Sequence, residues 1–534
     1  MIEYVNIIIL GVLMFNRNLL YILFTLSLIL GGCAGKHVGI KEDRPLHLTE
    51  KSSTSLYDHI DTNVTAQAPK SGFYPLDDHV NSLAARLMLA KNAQKRICVQ
   101  YFTFTADKAG AILAKAIIDA ANRGVKVDVL IDDIELAFSD ERLALINMHK
   151  NIRVRVFNPT NNRRLMHYLE MGVHVDETGR RMHNKAFIVD NSMAVYGGRN
   201  IGDLYFATDS EHFFIDNDVL VAGPMVNKLS NEFDYYFQNK LSVDFEYIAN
   251  DGKEETKKEL QKKFQKLIQT KSYLALKEAL KNSDVYKQFH NKKLHLFFGN
   301  SELLYDMPQK ITTDATDHTY HIQSKLPKDI KAKKQFLITS PYFIPGETMM
   351  KRIKKMREKG IDIAVLTNSL ESTDGISVYA YYSQYQKELL EMGVRLYEIK
   401  PDAYKEDVLN QSYNSLKKMP IAMLHAKTIV IDDKYFVIGS RNMDPRSRNL
   451  NTEIVSIIES KELNEYERKV FEDMTSLENA YTLELEYDEN NESKVIWKTL
   501  KDGKVVKYDS DGNAGWWLRT KKNFLKVLPI RDLL

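Results

Sequence analysis

One motif occurs twice in this chain, with its internal spacing kept. The segment HNKAFIVDNSMAVYGGRN begins at His183, and HAKTIVIDDKYFVIGSRN begins at His425, 242 positions later. The two segments align without a gap from the histidine through the last asparagine. This duplication predicts a chain built from two related halves. Each half supplies an imidazole and a lysine cation, a combination suited to chemistry at a phosphodiester.

Histidine and lysine stand two positions apart in an apolar strand in each copy. Side chains alternate between the faces of a strand, so His183 and Lys185 share one face, as do His425 and Lys427. One His-x-Lys is weak evidence, because a surface strand would often show it. Two copies in matched apolar context indicate one functional site built from both halves.

Two aspartates of the motif lie on the other side of these strands. The same alternation turns Asp190 and Asp432 away from the histidine and lysine of their copies. We therefore predict that both hold the turn into the next strand and do not contact the reacting phosphate.

An asparagine closes each copy, 17 residues beyond its histidine. Asn200 follows Gly197-Gly198, and Asn442 follows Gly439-Ser440. Small residues at a tight turn let backbone and amide groups approach an anion. We count Asn200 and Asn442 among the catalytic candidates.

A carboxylate enters an apolar strand after each copy. Glu453 lies 28 positions after His425 and precedes IVSII. Asp218 opens DVLVAG at 35 positions after His183, whereas Glu211 has the offset of 28 but no strand pattern after it. We predict that Asp218 and Glu453 orient the imidazoles and stabilise their charged forms.

The order of predicted elements also repeats. ANRGVKVDVLIDD and REKGIDIAVLTNS represent the same helix-end and strand in the two halves. The pattern predicts an α/β fold of two repeated domains, with helices on both faces of their sheets, packed with the motif strands meeting across a pseudo-twofold axis. The predicted domains cover residues 71–244 and 291–475, followed by a small β appendage at 476–534.

Two segments outside these domains each allow two interpretations. Residues 245–290 have a charged helical pattern, predicted to be a solvated linker and alternatively a basic face on anionic lipid headgroups. In the appendage, Trp516-Trp517 is predicted to pack on the body, with a membrane interface as the alternative.

The N-terminal residues 1–33 have the features of a signal segment. Arg17 precedes a 12-residue apolar run at 19–30, which is short for a transmembrane helix. The run ends at a Leu-Gly-Gly-Cys sequence that resembles the lipobox of bacterial lipoproteins, in which the cysteine, here Cys33, is lipidated. An uncleaved anchor or an ordinary secretory signal are alternatives, and translation starts at either Met1 or Met14. Residues 34–70 are predicted to be a flexible tether.

This segment predicts a lipoprotein held on a membrane outside the cytoplasm, on the inner or outer membrane of a bacterium.

The remaining cysteine, Cys98, lies in an apolar strand pattern and is predicted to be a core residue. Lys+Arg 74 against Asp+Glu 71 leaves +3, which disfavours a nucleic-acid binder. No His/Cys/Asp cluster with ligand spacing is present in the sequence, so neither a metal nor a cofactor is expected.

The complete pattern, HxKxxxxD followed by a small-residue turn and asparagine, occurs twice and resembles the phospholipase D superfamily. The blocks RRMHNKAFIVDNSMAVYGGRNIGDLYF, LHAKTIVIDDKYFVIGSRNMDPRSRNLNTE and SPYFIPG, with the terminal LPIRDLL, resemble the bacterial cardiolipin synthase C-type branch. The resemblance covers roughly residues 72–534. It departs in the lipobox-like N-terminus and in the lysine-rich middle.

The resemblance implies a phosphatidyltransferase that acts through a covalent phosphohistidine. His183 is implied as nucleophile and His425 as general acid and base, with Lys185, Lys427, Asn200 and Asn442 on the phosphate oxygens. The implied partners are phospholipids: phosphatidylglycerol, and phosphatidylethanolamine as a further donor. A hydrolytic phospholipase D, a nuclease and a catalytically dead lipid-binding scaffold are the alternatives.

Overall fold

A computed structural model describes residues 55–134, 146–147, 149–160, 179–208, 211–248, 254–327, 330–409 and 420–534. The predicted signal segment with Cys33, and the tether up to residue 54, lie outside the described residues. Within these ranges, no helix combines the length and apolarity needed to cross a bilayer.

The first half alternates strands and helices up to the charged middle segment. Its strands are β1 (Ser71–Leu76), β2 (Arg96–Tyr101), β3 (Lys126–Asp132), β4 (Ile152–Phe157), β5 (Ala186–Val189), β6 (Met193–Gly197), β7 (His212–Ile215), β8 (Asp218–Ala222) and β9 (Ser242–Asp244). Its helices are α1 (His79–Asn92), α2 (Lys108–Asn122), α3 (Asp203–Phe206) and α4 (Pro224–Phe237), and the middle segment holds α5 (Glu254–Leu267), α6 (Lys271–Asn282) and α7 (Asp284–His290).

The second half repeats this alternation and adds a C-terminal extension. Its strands are β10 (Phe297–Tyr305), β11 (Gln335–Thr339), β12 (Asp362–Asn368), β13 (Arg395–Ile399), β14 (Ile421–Leu424), β15 (Thr428–Ile431), β16 (Tyr435–Gly439), β17 (Ile454–Glu459), β18 (Ala480–Tyr487), β19 (Ser493–Lys501) and β20 (Lys504–Tyr508). Its helices are α8 (Ile322–Lys325), α9 (Gly346–Glu358), α10 (Ile376–Tyr382), α11 (Gln386–Glu391), α12 (Lys405–Leu409), α13 (Pro445–Asn449), α14 (Lys461–Met474) and α15 (Trp516–Leu525).

Eighteen of the described strands form one continuous sheet. Neighbouring strands pair in the order β9-β4-β3-β2-β5-β6-β8-β1-β10-β17-β16-β15-β11-β12-β13-β18-β19-β20. The order of the first half is the reverse of the order of the second half, with β1 and β10 at the centre. This reversal is the pseudo-twofold relation predicted from the duplicated motif.

The strand–helix–strand units form where the sequence predicts them. Asp78 caps α1 by accepting from the Asn81 amide at 2.7 Å. After α2 and α9 the chain turns at Gly124 and Gly360, with φ of +100° and +76°. Only glycine adopts such angles without strain, so these two residues end the helices and start the next parallel strands.

A second, smaller pairing joins the two halves directly. Strand β7 of the first half pairs in parallel with β14 of the second, from Ile421↔His212 to Leu424↔Ile215. The counterpart on the other side of the pseudo-twofold is a parallel bridge between Met182 and Thr452. Each of these pairings ends beside one copy of the motif.

The charged middle segment is helical, but it is not only a linker. Helices α6 and α7 bury Tyr273, Leu280 and Phe289 in the core of the first domain, where they pack beside α1. Apolar burial of this size fixes these helices to the domain.

The C-terminal extension differs from a purely β appendage. Strands β18–β20 continue the sheet of the second domain through β13. Within the predicted β appendage, the sequence WWLRT starts helix α15. Trp516 and Trp517 are each 73% exposed, so the prediction that they pack on the body is wrong.

Candidate active site

Both motif histidines lie in extended segments that lead into central strands. His183 and Lys185 immediately precede β5, and His425 and Lys427 immediately precede β15. All four residues are buried. The strands β5 and β15 are related by the pseudo-twofold, so the two histidine segments meet at the interface of the domains.

The second histidine takes its carboxylate partner from the first domain. The β7–β14 pairing ends with the amides of His425 and Ala426 donating to the Ile215 carbonyl. The next residue, Asp216, accepts from His425 Nδ1, with Oδ2 at 2.6 Å. The cross-domain backbone pairing therefore sets the position of this carboxylate.

The first histidine takes its partner from the second domain in the same way. The His183 amide donates to the Thr452 carbonyl at 2.8 Å. The next residue, Glu453, places Oε2 2.9 Å from His183 Nδ1. Hydroxyl groups of Ser440 and Ser447 also donate to Glu453. Each carboxylate thus crosses the pseudo-twofold to the opposite motif.

This arrangement corrects the choice of Asp218 as a histidine partner. Asp218 is buried, accepts from Ser82 Oγ at 2.7 Å, and pairs with the Arg86 and Arg199 guanidinium groups at 3.0 and 3.5 Å. It is the anion of a structural cluster. Glu211 does precede a strand, β7, contrary to the sequence pattern.

The wrong choice of Asp218 as a histidine partner has a local cause. Asp216 and Asp218 are two positions apart, so strand alternation cannot distinguish them. The register of the hairpins distinguishes the two aspartates. Gly197 pairs with Asp218 in the first half, whereas its counterpart Gly439 pairs with Val455 in the second half. Asp216 is therefore the equivalent of Glu453. Gly198 also provides room, since a Cβ there would lie 2.1 Å from Asp216 Oδ1.

The carboxylates determine which imidazole nitrogen is free. A carboxylate only accepts hydrogen bonds, so Nδ1 of each histidine carries the proton and Nε2 presents its lone pair. Burial lowers the pKa of both imidazoles, that of His425 to about 3. Burial alone would raise the pKa of Glu453, but the charge and hydrogen bond of His183 hold it at about 2. The resting site therefore contains neutral imidazoles beside ionised carboxylates.

Two lysines contribute positive charge between the histidines. Lys185 Nζ donates to the His183 carbonyl at 2.7 Å, and Lys427 Nζ donates to the His425 carbonyl. Burial together with the charge of Lys427 lowers the pKa of Lys185 to about 7, although the charge of Glu453 opposes this shift. A bound phosphodiester anion would offset both effects, so the site favours an anionic ligand.

The two asparagines are not equivalent in the structure. Asn200 accepts from the Thr103 amide at 3.1 Å and donates to Tyr205 Oη at 2.9 Å. Asn442 Oδ1 is buried without a hydrogen-bond donor in the described part of the chain. Asn200 therefore supports the loop beside His425, while the Oδ1 of Asn442 remains able to accept a hydrogen bond from a ligand.

Asp190 and Asp432 lie away from both histidines. Asp190 accepts from the amides of Gln94, Lys95 and Arg96. Asp432 accepts from the corresponding amides of Lys333, Lys334 and Gln335. Both aspartates tie the turn after a motif strand to the start of the adjacent parallel strand.

Aromatic rings surround the histidines. Phe102 lies edge-on to His183 with ring centroids 5.0 Å apart, and Tyr205 and Phe214 lie 5.3 and 4.8 Å from His425. Tyr101 and Phe343 are core residues, and Tyr342 donates to Asp374. Apolar rings reduce the water that reaches the imidazoles.

Sequence reasoning did not identify a carboxyl group beneath the first motif. Glu232 of α4 accepts from Asn184 Nδ2 at 2.7 Å and from Gln100 Nε2 at 3.1 Å. Burial raises the pKa of Glu232 to about 7 despite these hydrogen bonds. Asn184 lies between His183 and Lys185 and also accepts from Thr452 Oγ1. This network fixes the backbone of the motif.

In the described ranges, no group of three or more His, Cys, Asp and Glu side chains is arranged to hold a metal ion.

Comparison with known proteins identifies related chains. The family model described as "Cardiolipin synthase, PLD-like domain" matches residues 87–241 and 329–475. Cardiolipin synthase C of Escherichia coli (strain K12) is 32% identical over 465 residues, which cover 87% of this chain and 96% of that protein. An uncharacterized protein of Helicobacter pylori (strain ATCC 700392 / 26695) is 34% identical over 468 residues, covering 86% of this chain and 88% of its own length.

A solved structure shares the fold. The phosphatidylserine synthase of Haemophilus influenzae Rd KW20 aligns with a TM-score of 0.51 and 15% sequence identity, covering 77% of this chain and 87% of that chain. At this identity the likeness establishes the architecture alone.

Proposed function

Since the chain belongs to the cardiolipin synthase, PLD-like domain family, we propose that it transfers phosphatidyl groups between phospholipids and forms cardiolipin. The observation that carries this proposal is the crossed pairing of two His–carboxylate pairs around two lysines. Such a site has two imidazoles with free Nε2 atoms and a positive charge that matches a phosphodiester.

The first step is displacement at the phosphorus of the donor lipid. We assign the nucleophile to His183, whose Nε2 bonds to phosphorus while the bond from phosphorus to the headgroup oxygen breaks. His425 gives its Nε2 proton to the departing headgroup alcohol. For this role His425 must carry a second proton, and the phosphodiester raises its pKa by offsetting the charges of Lys427 and Lys185.

The second step reverses the proton transfer. The primary hydroxyl of phosphatidylglycerol loses its proton to His425 Nε2 and attacks phosphorus, and the bond to His183 breaks. Cardiolipin leaves, and both histidines return to their starting states. Lys185, Lys427 and the Asn442 amide bind the non-bridging oxygens in both steps. The carboxylates of Glu453 and Asp216 hold the imidazoles in the reactive tautomer.

Hydrolysis is the competing reaction of the same intermediate. Water in place of the lipid hydroxyl would give phosphatidic acid, the product of a hydrolytic phospholipase D. The rings of Phe102, Tyr205 and Phe214 beside the imidazoles favour transfer, because they reduce access of water to the phosphohistidine.

We also propose that the enzyme works on a membrane outside the cytoplasm, held by a lipid on Cys33. The support is the apolar run and the lipobox-like sequence before this cysteine. Mass spectrometry of the mature N-terminus tests this proposal: Cys33 should carry the lipid, and cleavage at another residue would reject it.

Product analysis tests the reaction. Purified protein in vesicles of phosphatidylglycerol should yield cardiolipin and glycerol, and phosphatidylethanolamine should add ethanolamine release if it acts as donor. His425→Ala in the same vesicles is the matched inactive control. Phosphatidic acid as the main product at every lipid composition would reassign the protein as a hydrolase.

A further inference from the structure

The C-terminal helix carries an exposed pair of stacked indoles. Trp516 and Trp517 are each 73% exposed, and their ring centroids lie 5.1 Å apart with an interplanar angle of 11°. Phe524 and Val527, at and just beyond the end of α15, are 41% and 76% exposed. The opposite side of α15 is anchored, because Leu525 is 2% exposed within the core of the second domain.

The same segment carries a net positive charge. Residues 511–534 contain five cations, Arg519, Lys521, Lys522, Lys526 and Arg531, and two acids, Asp511 and Asp532. Lys522 pairs with Asp511 at 2.7 Å and Arg531 with Asp532 at 3.1 Å, and the segment keeps a net charge of +3 from five cations minus two acids. Exposed tryptophans combined with lysine and arginine on one short helix are the composition of a surface that binds at the bilayer interface. The excess positive charge complements anionic headgroups.

The chain end after α15 lies close to the active site. The Leu534 carbonyl accepts from the Arg446 amide at 2.6 Å. The next residue on α13, Ser447, donates to Glu453, which holds His183. The chain end therefore packs one residue away from a group that supports the reacting imidazole.

We propose that α15 and the chain end after it, residues 516–534, dock on a bilayer of anionic phospholipid and bring the active site to the lipid headgroups. This inference rests on the proposed function for its lipid substrate. The indoles enter the headgroup region, and the cations contact lipid phosphates. The surface acts in addition to any lipid on the N-terminus, since it orients the catalytic domains and the N-terminal segment only tethers them.

Tryptophan fluorescence gives a direct test, because the chain contains 3 tryptophans and the third is buried. Trp497 is 4% exposed and donates to Glu398 at 2.9 Å. The full chain is mixed with vesicles of phosphatidylethanolamine and phosphatidylglycerol that contain brominated acyl chains. At least half of the emission should be quenched in these vesicles, and much less in brominated phosphatidylcholine alone.

Two variants complete the test. The double variant Trp516→Ala/Trp517→Ala should lose the quenching and lose about tenfold in turnover on vesicles, while turnover of a short-chain phosphatidylglycerol in free solution stays unchanged. Tyr247→Ala is the matched control, since Tyr247 is 42% exposed and lies beside β9, at the opposite end of the sheet from β20. It should behave as the unchanged chain does.

Absence of quenching in the unchanged chain would overturn the proposal, and so would equal loss of turnover on vesicles and on the short-chain lipid. A chain that shows quenching but transfers no phosphatidyl group to any acceptor would reject the proposed function and leave the docking surface supported.

Discussion

Glu453 Oε2 lies 2.9 Å from Nδ1 of His183, although the two residues belong to different domains and are 270 positions apart in sequence. The pair Asp216–His425 repeats this relation with the domains exchanged, at 2.6 Å and 209 positions. Neither domain alone contains a complete histidine–carboxylate pair. Separation of the domains would therefore disable both imidazoles together.

The crossed pairing predicts different effects for two neighbouring aspartates. Asp216→Asn should lower kcat by on the order of 10²–10⁴-fold, because His425 loses the anion that orients it and stabilises its charged form. Asp218→Asn should instead destabilise the fold by about 3–5 kcal/mol, because Arg86 and Arg199 lose their buried anion. Measurements of turnover and thermal unfolding on both purified variants distinguish the catalytic effect from the effect on stability. A fully stable but inactive Asp218→Asn would contradict the assignment.

Replacement of each histidine should block a different step of the reaction. His183→Gln should form no covalent adduct with any substrate, because it lacks the attacking Nε2. His425→Gln should still release the leaving group of a p-nitrophenyl phosphatidyl ester, which needs no proton, and should accumulate a phosphatidyl adduct. Peptide mapping of a radiolabelled adduct locates it on His183. An adduct on His425 in the His183→Gln variant would show that His425 is the nucleophile and that His183 is the general acid and base.

The motif aspartates should affect stability and leave the chemistry intact. Asp190 is 1% exposed and accepts from three backbone amides, so Asp190→Asn should cost about 1–3 kcal/mol in unfolding free energy while kcat stays within a few-fold. Asp432→Asn is the matched comparison at the more exposed counterpart and should cost less. Denaturant unfolding and turnover are measured together. A variant of Asp190 with full stability and no activity would place this residue in the reaction.

Glu232 should make stability depend on pH. Its pKa rises from 4.5 when unfolded to about 7 when folded, so the folded state holds the proton between these values. Stability from this group is complete below pH 4.5 and declines as pH rises through 7, by up to about 3 kcal/mol. Glu232→Gln cannot ionise and retains an acceptor for Asn184. The stability of the variant relative to the unchanged chain should therefore increase from pH 4.5 to 7.5, as measured by denaturant unfolding at each pH. A constant difference would indicate that folding does not raise the pKa of Glu232.

The sequence alone was sufficient to predict those features of the fold and the site that short-range periodicity determines. The duplicated His-x-Lys motif predicted two related halves, and the repeated strand–helix–strand pattern predicted the α/β fold that the sheet order shows. Strand alternation predicted that Asp190 and Asp432 face away from the histidines. These features depend on backbone geometry over a few residues, which the order of residue types specifies directly.

Tertiary structure decided which groups meet across the domains. Asp216 and Asp218 have the same strand parity and similar chemistry, and only the pairing of β7 with β14 brings Asp216 to His425. The exposure of Trp516 and Trp517 likewise depends on which side of α15 the second domain covers. Contacts between residues more than 200 positions apart depend on how completed sheets dock, and local patterns of residue types carry no record of that docking.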